Sequence, residues 1–96
     1  MSIVHFERVC DEQYYSLKPQ ILFGKPYVWI LINDIGWEFF SYDYAKKVRH
    51  FMKKNFSECR VTTVDRPNCY KRIFLSFKNE EDQNFFLLKF SDGIEL

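Results

Sequence analysis

The stretch Lys71–Phe90, KRIFLSFKNEEDQNFFLLKF, constrains the fold more than any other, because it reads as a strand, a capped turn and a helix in immediate succession. From Arg72 to Phe77, the apolar residues Ile73, Leu75 and Phe77 alternate with Arg72, Phe74 and Ser76, the period of two that marks a strand with one buried face. Asn79 then stands where a helix needs an N-cap. Its side-chain oxygen can accept from the backbone N–H groups of the first turn, and Glu80, Glu81 and Asp82 place negative charge at the positive end of the helix dipole. The helix that follows is too apolar for a single stripe. At about 100° per residue, Phe86, Leu87 and Phe90 share one side while Phe85 and Leu88 lie on another. Such a helix needs two neighbours: the chain's own sheet, and either the N-terminal arm or another molecule. Phe85 and Leu88 are therefore candidate apolar contacts for a partner.

The same corner carries a resemblance. The run L-x-F-x-N-E-x-D from Leu75 to Asp82, followed by F-x-L-L-K-F from Phe85 to Phe90, is similar to the C-terminal ends of small uncharacterised proteins of tailed bacteriophages. The resemblance implies a phage-encoded accessory protein made in a bacterial cytoplasm, and it carries over no catalytic residue.

Upstream, Val4 and Phe6 alternate with His5 and Glu7, which suits a strand over residues 3–9. Residues 10–26, CDEQYYSLKPQILFGKP, have no period and contain two prolines, so an irregular arm is expected. Its Tyr14, Tyr15, Leu17, Ile21, Leu22 and Phe23 are the expected cover for the spare face of the last helix. YVWILI, residues 27–32, is apolar on both faces, as in a central strand covered on both sides, and Asn33, Asp34 and Gly36 end it. Ser41 can cap a helix in which Tyr44, Val48, Phe51, Met52 and Phe56 recur at intervals of mostly three and four. Residues 60–64 alternate as a strand, and Asp65, Arg66, Pro67 and Asn68 supply a turn, so the next two strands form a hairpin. In the tail, residues 91–96, Gly93 suits a helix end, with Ile94 and Leu96 in reach of a sheet edge.

The expected architecture is therefore a single α+β domain. Residues 1–26 form an N-terminal strand and arm, residues 27–90 a ferredoxin-like β-α-β-β-α core, and the first strand is available to fill the place of the missing last one. The 96 residues allow no second domain, and an aromatic content of 20% lets a domain this small bury enough area to hold together.

Several function classes lose support at once. A formal net charge of +1 fits neither a mimic of nucleic acid nor a globally basic binder. No apolar run approaches the ~20 residues needed to span a bilayer, and the N-terminus lacks the order of a signal peptide, so a cytoplasmic protein is expected. Cys10, Cys59 and Cys69 have no C-x-x-C spacing and suggest reduced thiols rather than disulfides or a metal site. His5 with Cys10, or His50 with Cys59, would each need an orienting third group and an oxyanion site, and neither is readable. No catalytic residue, metal or cofactor is expected.

Two binding surfaces remain. Lys46, Lys47, Arg49, His50, Lys53 and Lys54 project from one helix within an arc of about 160°, which is either a solvated face or a surface for phosphates or acidic protein. On the open sheet face, Tyr70, Arg72 and Phe74, beside Trp29, would offer a stacking platform similar to that of RNA-recognition domains; Phe74-Leu75-Ser76-Phe77 matches the end of their third-strand motif, without its Gly-rich start. The leading expectation is a small non-enzymatic protein-binding module, a phage accessory protein or an inhibitor of a host defence factor, that holds a protein partner or a second copy of itself. The alternative is a single-stranded RNA-binding domain.

Overall fold

The computed structural model describes residues 3–17, 27–65, 68 and 70–96. Among these, five strands and three helices follow one another as β1 (Ile3–Arg8), α1 (Asp11–Leu17), β2 (Val28–Ile32), α2 (Tyr42–Asn55), β3 (Arg60–Asp65), β4 (Lys71–Ser76), α3 (Glu80–Lys89) and β5 (Ile94–Glu95). The strands form one sheet in the order β3-β4-β2-β1-β5, with every neighbouring pair antiparallel. The first strand does lie against β2, and β5 adds two residues beyond it, Ile3 opposite Glu95 and Val4 opposite Ile94.

Both long helices start at side-chain caps. The Ser41 hydroxyl accepts from the Tyr44 N–H at 3.1 Å, and Asn79 Oδ1 accepts from the Asp82 N–H at 2.9 Å. Asp43 and the Glu80–Glu81–Asp82 run occupy the first turns, and Lys53, Lys54 and Lys89 the last, each complementing the local end of the helix dipole.

β2 organises the core because its side chains are buried on both sides: Val28, Trp29, Ile30 and Leu31 are all buried. On one face Trp29 and Leu31 join Val4, Val61, Ile73, Leu75 and Phe77 beneath α2 and α3. Phe86 of α3 is fully buried at the centre of that layer, its ring 5.0 Å from Phe6, 4.9 Å from Phe77, 5.4 Å from Phe56 and 5.3 Å from Phe90. Trp29 brings a polar N–H into the same layer, and the buried Gln83 Oε1 accepts it at 2.8 Å. Phe6 packs edge-on to the indole, and the Arg8 guanidinium lies 4.6 Å from its centre.

The other face is not open. Residues 11–17 form α1 rather than an irregular arm. Cys10 stands at the N-cap, and Gln13 Oε1 accepts the Cys10 N–H at 3.0 Å, so a side chain three residues into the helix satisfies the backbone donor. Leu17 and Tyr14 then pack with Val9, Val28, Ile30 and Phe74. These residues cover the second sheet face and not α3, while Tyr15 is 65% exposed. Ile21, Leu22 and Phe23, expected in the same role, lie outside the described residues.

Gly93 lets α3 turn into β5. Its φ is +101°, and a Cβ there would stand 2.6 Å from Ile3 Cγ2 and 2.9 Å from the Val4 carbonyl oxygen.

Phe86→Ala should lower stability by about 3–5 kcal/mol, whereas Leu88→Ala, two residues away on the exposed side, should change it by less than about 0.5 kcal/mol; urea titration of the two variants separates them. Gln83→Ala leaves the Trp29 N–H buried without an acceptor and should cost about 1–3 kcal/mol, with a shifted tryptophan emission in the folded state.

Candidate cationic and aromatic interface

The outer face of α2 follows from its inner one. Ala45, Val48 and Met52 are buried, so the helical period turns Lys46, Lys47, Arg49, His50, Lys53 and Lys54 outward, and all six are exposed. The structure divides them between the two flanks of the helix. Arg49 and Lys53 lean toward β3 and line a groove of about 760 Å3 with Cys59, Val61 and Thr63. Arg49 Nη1 donates to the Val61 carbonyl at 3.2 Å. Lys46, Lys47, His50 and Lys54 rim the opposite flank, a cleft of about 720 Å3 that also contains Phe51 and Leu96.

At its N-terminal end the cationic face meets a cluster of aromatic side chains that the sequence pattern did not reveal. Asn33 folds the loop after β2: its Oδ1 accepts from the N–H groups of Ile35 at 3.1 Å and Trp37 at 2.9 Å, and its own N–H donates to the Trp37 carbonyl at 2.8 Å. Gly36 takes φ +87° within that turn. Phe40 then exchanges two backbone hydrogen bonds with Lys71, of 2.9 and 2.8 Å, which fixes the loop against the start of β4. The outcome is a group of large apolar side chains held in water: Ile35 70%, Trp37 60%, Tyr42 57% and Tyr70 48% exposed. The rings of Trp37 and Tyr70 each lie 6.5 Å from Phe39, one on either side of it in the contact chain.

Cations are interleaved with these rings. The Arg72 guanidinium lies 5.6 Å from the Phe39 ring centre, and its Nε stands 3.3 Å from Glu38 Oε2, an ion pair short of hydrogen-bond alignment. Lys46 and Lys71 place their ammonium groups 5.4 and 5.5 Å from the Tyr42 ring centre, and Lys71 also pairs with Asp65. Tyr42 thereby stands between a cation of α2 and one of β4. Beneath it, Tyr44 stacks on Phe40 at 5.1 Å; burial first, and the Asp34 carboxylate second, raise its phenol pKa above the ordinary value.

The structure brings together part of each sequence-derived set. Tyr70 and Arg72 belong to the new cluster. Trp29 does not lie beside them, because it pairs with Leu75 and Arg8 on the helix-covered face; Phe74 is on the other face but is buried under α1. Phe85 and Leu88 are 59% and 82% exposed and line a separate shallow groove with Tyr27, Glu80 and Glu81. The signal available for the loop cluster was composition: IGWEFFSY, residues 35–42, is rich in aromatics yet has neither a strand nor a helix period.

His50 and Cys59 line opposite flanks of α2. Burial pushes the Cys59 thiol up to about 12, opposed by a hydrogen bond from the Ser76 backbone and reinforced by Asp82. Among the described residues no three His, Cys, Asp or Glu side chains converge as metal ligands, and no helix is long and apolar enough to cross a membrane. No family model matches the chain, and neither does any curated protein or solved structure.

A folded-state thiol with so high a pKa is protonated at pH 8, so iodoacetamide should label the exposed Cys10 while Cys59 stays unmodified until denaturant is added; peptide mapping by mass spectrometry reads the difference.

Proposed function

We propose that this protein is a small non-enzymatic binding module that holds an acidic surface of a protein partner against the Trp37–Tyr42–Tyr70 cluster and the cationic face of α2. One observation carries the reading: Trp37, Tyr42 and Tyr70 are exposed, Lys46 and Lys71 flank the Tyr42 ring, and Arg72 lies over Phe39, the ring that contacts both Trp37 and Tyr70. Tryptophan, tyrosine and arginine are the residues that dominate binding energy at protein interfaces, since rigid rings give large contact area for little lost side-chain entropy. Lysines along the neighbouring helix favour an acidic counterpart and speed its approach.

The fold is read as a ferredoxin-like β-α-β-β-α core in which β1 takes the place beside β2 that the final strand of that plan would occupy. The similarity of Leu75–Asp82 and Phe85–Phe90 to the ends of small phage proteins supports a phage accessory protein of the bacterial cytoplasm, acting on a host factor. Burial of Trp29 and Phe74 speaks against an RNA platform on the sheet, and the rings of Tyr42 and Phe39 already have cations over them.

Affinity capture from bacterial lysate tests the reading. Wild-type protein should retain an acidic protein whose binding weakens with salt, and Trp37→Ala and Tyr70→Ala should each reduce retention about tenfold or more, with Lys46→Glu acting in the same direction. Retention of RNA in place of protein, or equal retention by all the variants, overturns it.

A further inference from the structure

Strand β3 forms one edge of the sheet, and the backbone bonds of β4 fix which of its residues face outward. Lys71 exchanges both its backbone bonds with Phe40, and the Phe77 N–H donates to the Tyr27 carbonyl, so the odd residues of β4 face β2. In an antiparallel ladder the direction alternates along the strand, which leaves Arg72, Phe74 and Ser76 facing β3. Their partners are Val64, Thr62 and Arg60. Val61, Thr63 and Asp65 therefore direct their N–H and C=O groups away from the sheet. Among the described residues, the contact made with that edge is at Val61, whose carbonyl accepts from Arg49.

Beside this edge runs the groove between β3 and α2, with Arg49 and Lys53 on its helix side. A strand laid along β3 would place the side chains opposite Val61 and Thr63 on the helix side of the sheet, against those two cations, because directly opposed residues of paired strands share a face. The residue between them would lie on the other face beside Thr62, where a β-branched side chain fits the pleat. Asp65 at the far end of β3 is exposed and paired with Lys71, so the cations available to incoming carboxylates are those at the Arg49–Lys53 end.

We propose that the β3 edge accepts an extended acidic segment of a protein partner as a sixth strand, with carboxylates at alternate positions. On docking, the first carboxylate takes the Arg49 guanidinium from the Val61 carbonyl, and the incoming backbone N–H occupies the acceptor so released. Arg49 thus covers the edge when it is empty, which limits indiscriminate pairing, and selects for acid when it is filled. The inference deepens the reading of an acidic protein partner by naming how one segment of it binds, and it uses none of the aromatic cluster.

A short capped peptide of alternating threonine and glutamate, titrated into the isotope-labelled full chain, tests it. The expected result is saturable amide shifts at Val61, Thr63 and Asp65, with affinity lowered about fivefold or more by Lys53→Glu and abolished by Thr63→Pro. Proline at 63 removes an outward N–H and leaves the β4 ladder intact; should that variant fail to fold, the same peptide N-methylated at alternate residues gives the equivalent test from the ligand side. Equal binding of a threonine–lysine peptide, equal binding of the N-methylated peptide, or an absence of shifts along β3 overturns the proposal. A dimer in the absence of peptide that Thr63→Pro abolishes overturns it in favour of self-pairing. Trp37→Ala should leave peptide affinity unchanged, so loss of partner capture through that residue and loss of edge binding are separate results.

Discussion

The packing of Phe86 against four other phenylalanines is the contact on which the rest of the structure depends. Phe6 comes from β1, Phe56 from the end of α2, Phe77 from the end of β4 and Phe90 from the end of α3, so a single side chain touches most of the elements on that side of the sheet. A domain of this size has little interior, and its high aromatic content is spent here: large rings fill the layer without long flexible side chains to order. The neighbouring Trp29–Gln83 bond follows from the same arrangement, because a tryptophan among so many rings needs an acceptor within the layer.

Fixing α3 by Phe86 decides what its other residues do. Phe85 and Leu88 must then point away, and the acidic first turn of α3 ends up beside them. The cations gather instead on α2, on the side away from its buried Ala45, Val48 and Met52. A net charge of +1 thus conceals an acidic first turn on α3 and a basic outer face on α2. That basic face gives the α2 side an electrostatic preference that the overall composition does not have.

Much of this was legible in the sequence because it is local. The strand-cap-helix of β4 and α3 and the Ser41 cap each depend on residues within a few positions of one another, and the β3–β4 hairpin joins strands consecutive in the chain. The failures have physical reasons. α1 starts at a cysteine, and the satisfied donor there is a backbone N–H held by Gln13, so the usual cap residue was absent from the pattern. In YVWILI every position is apolar, which identifies a central strand but erases the alternation that would have assigned Trp29 to one face. The aromatic cluster was hidden because its geometry depends on Asn33 and on a pairing between Phe40 and Lys71, a contact no local period encodes.

The pairing of Ile3 with Glu95 and of Val4 with Ile94 has a kinetic meaning. These contacts join segments separated by most of the chain, and the loop-closure entropy against them is the largest in the sheet. β5 consists of only two residues, so little ladder offsets that cost, and the seam it makes with β1 is the natural place for the sheet to open first. The molecule would then breathe at one margin while its opposite margin, strand β3 with Arg49 laid across it, keeps its shape.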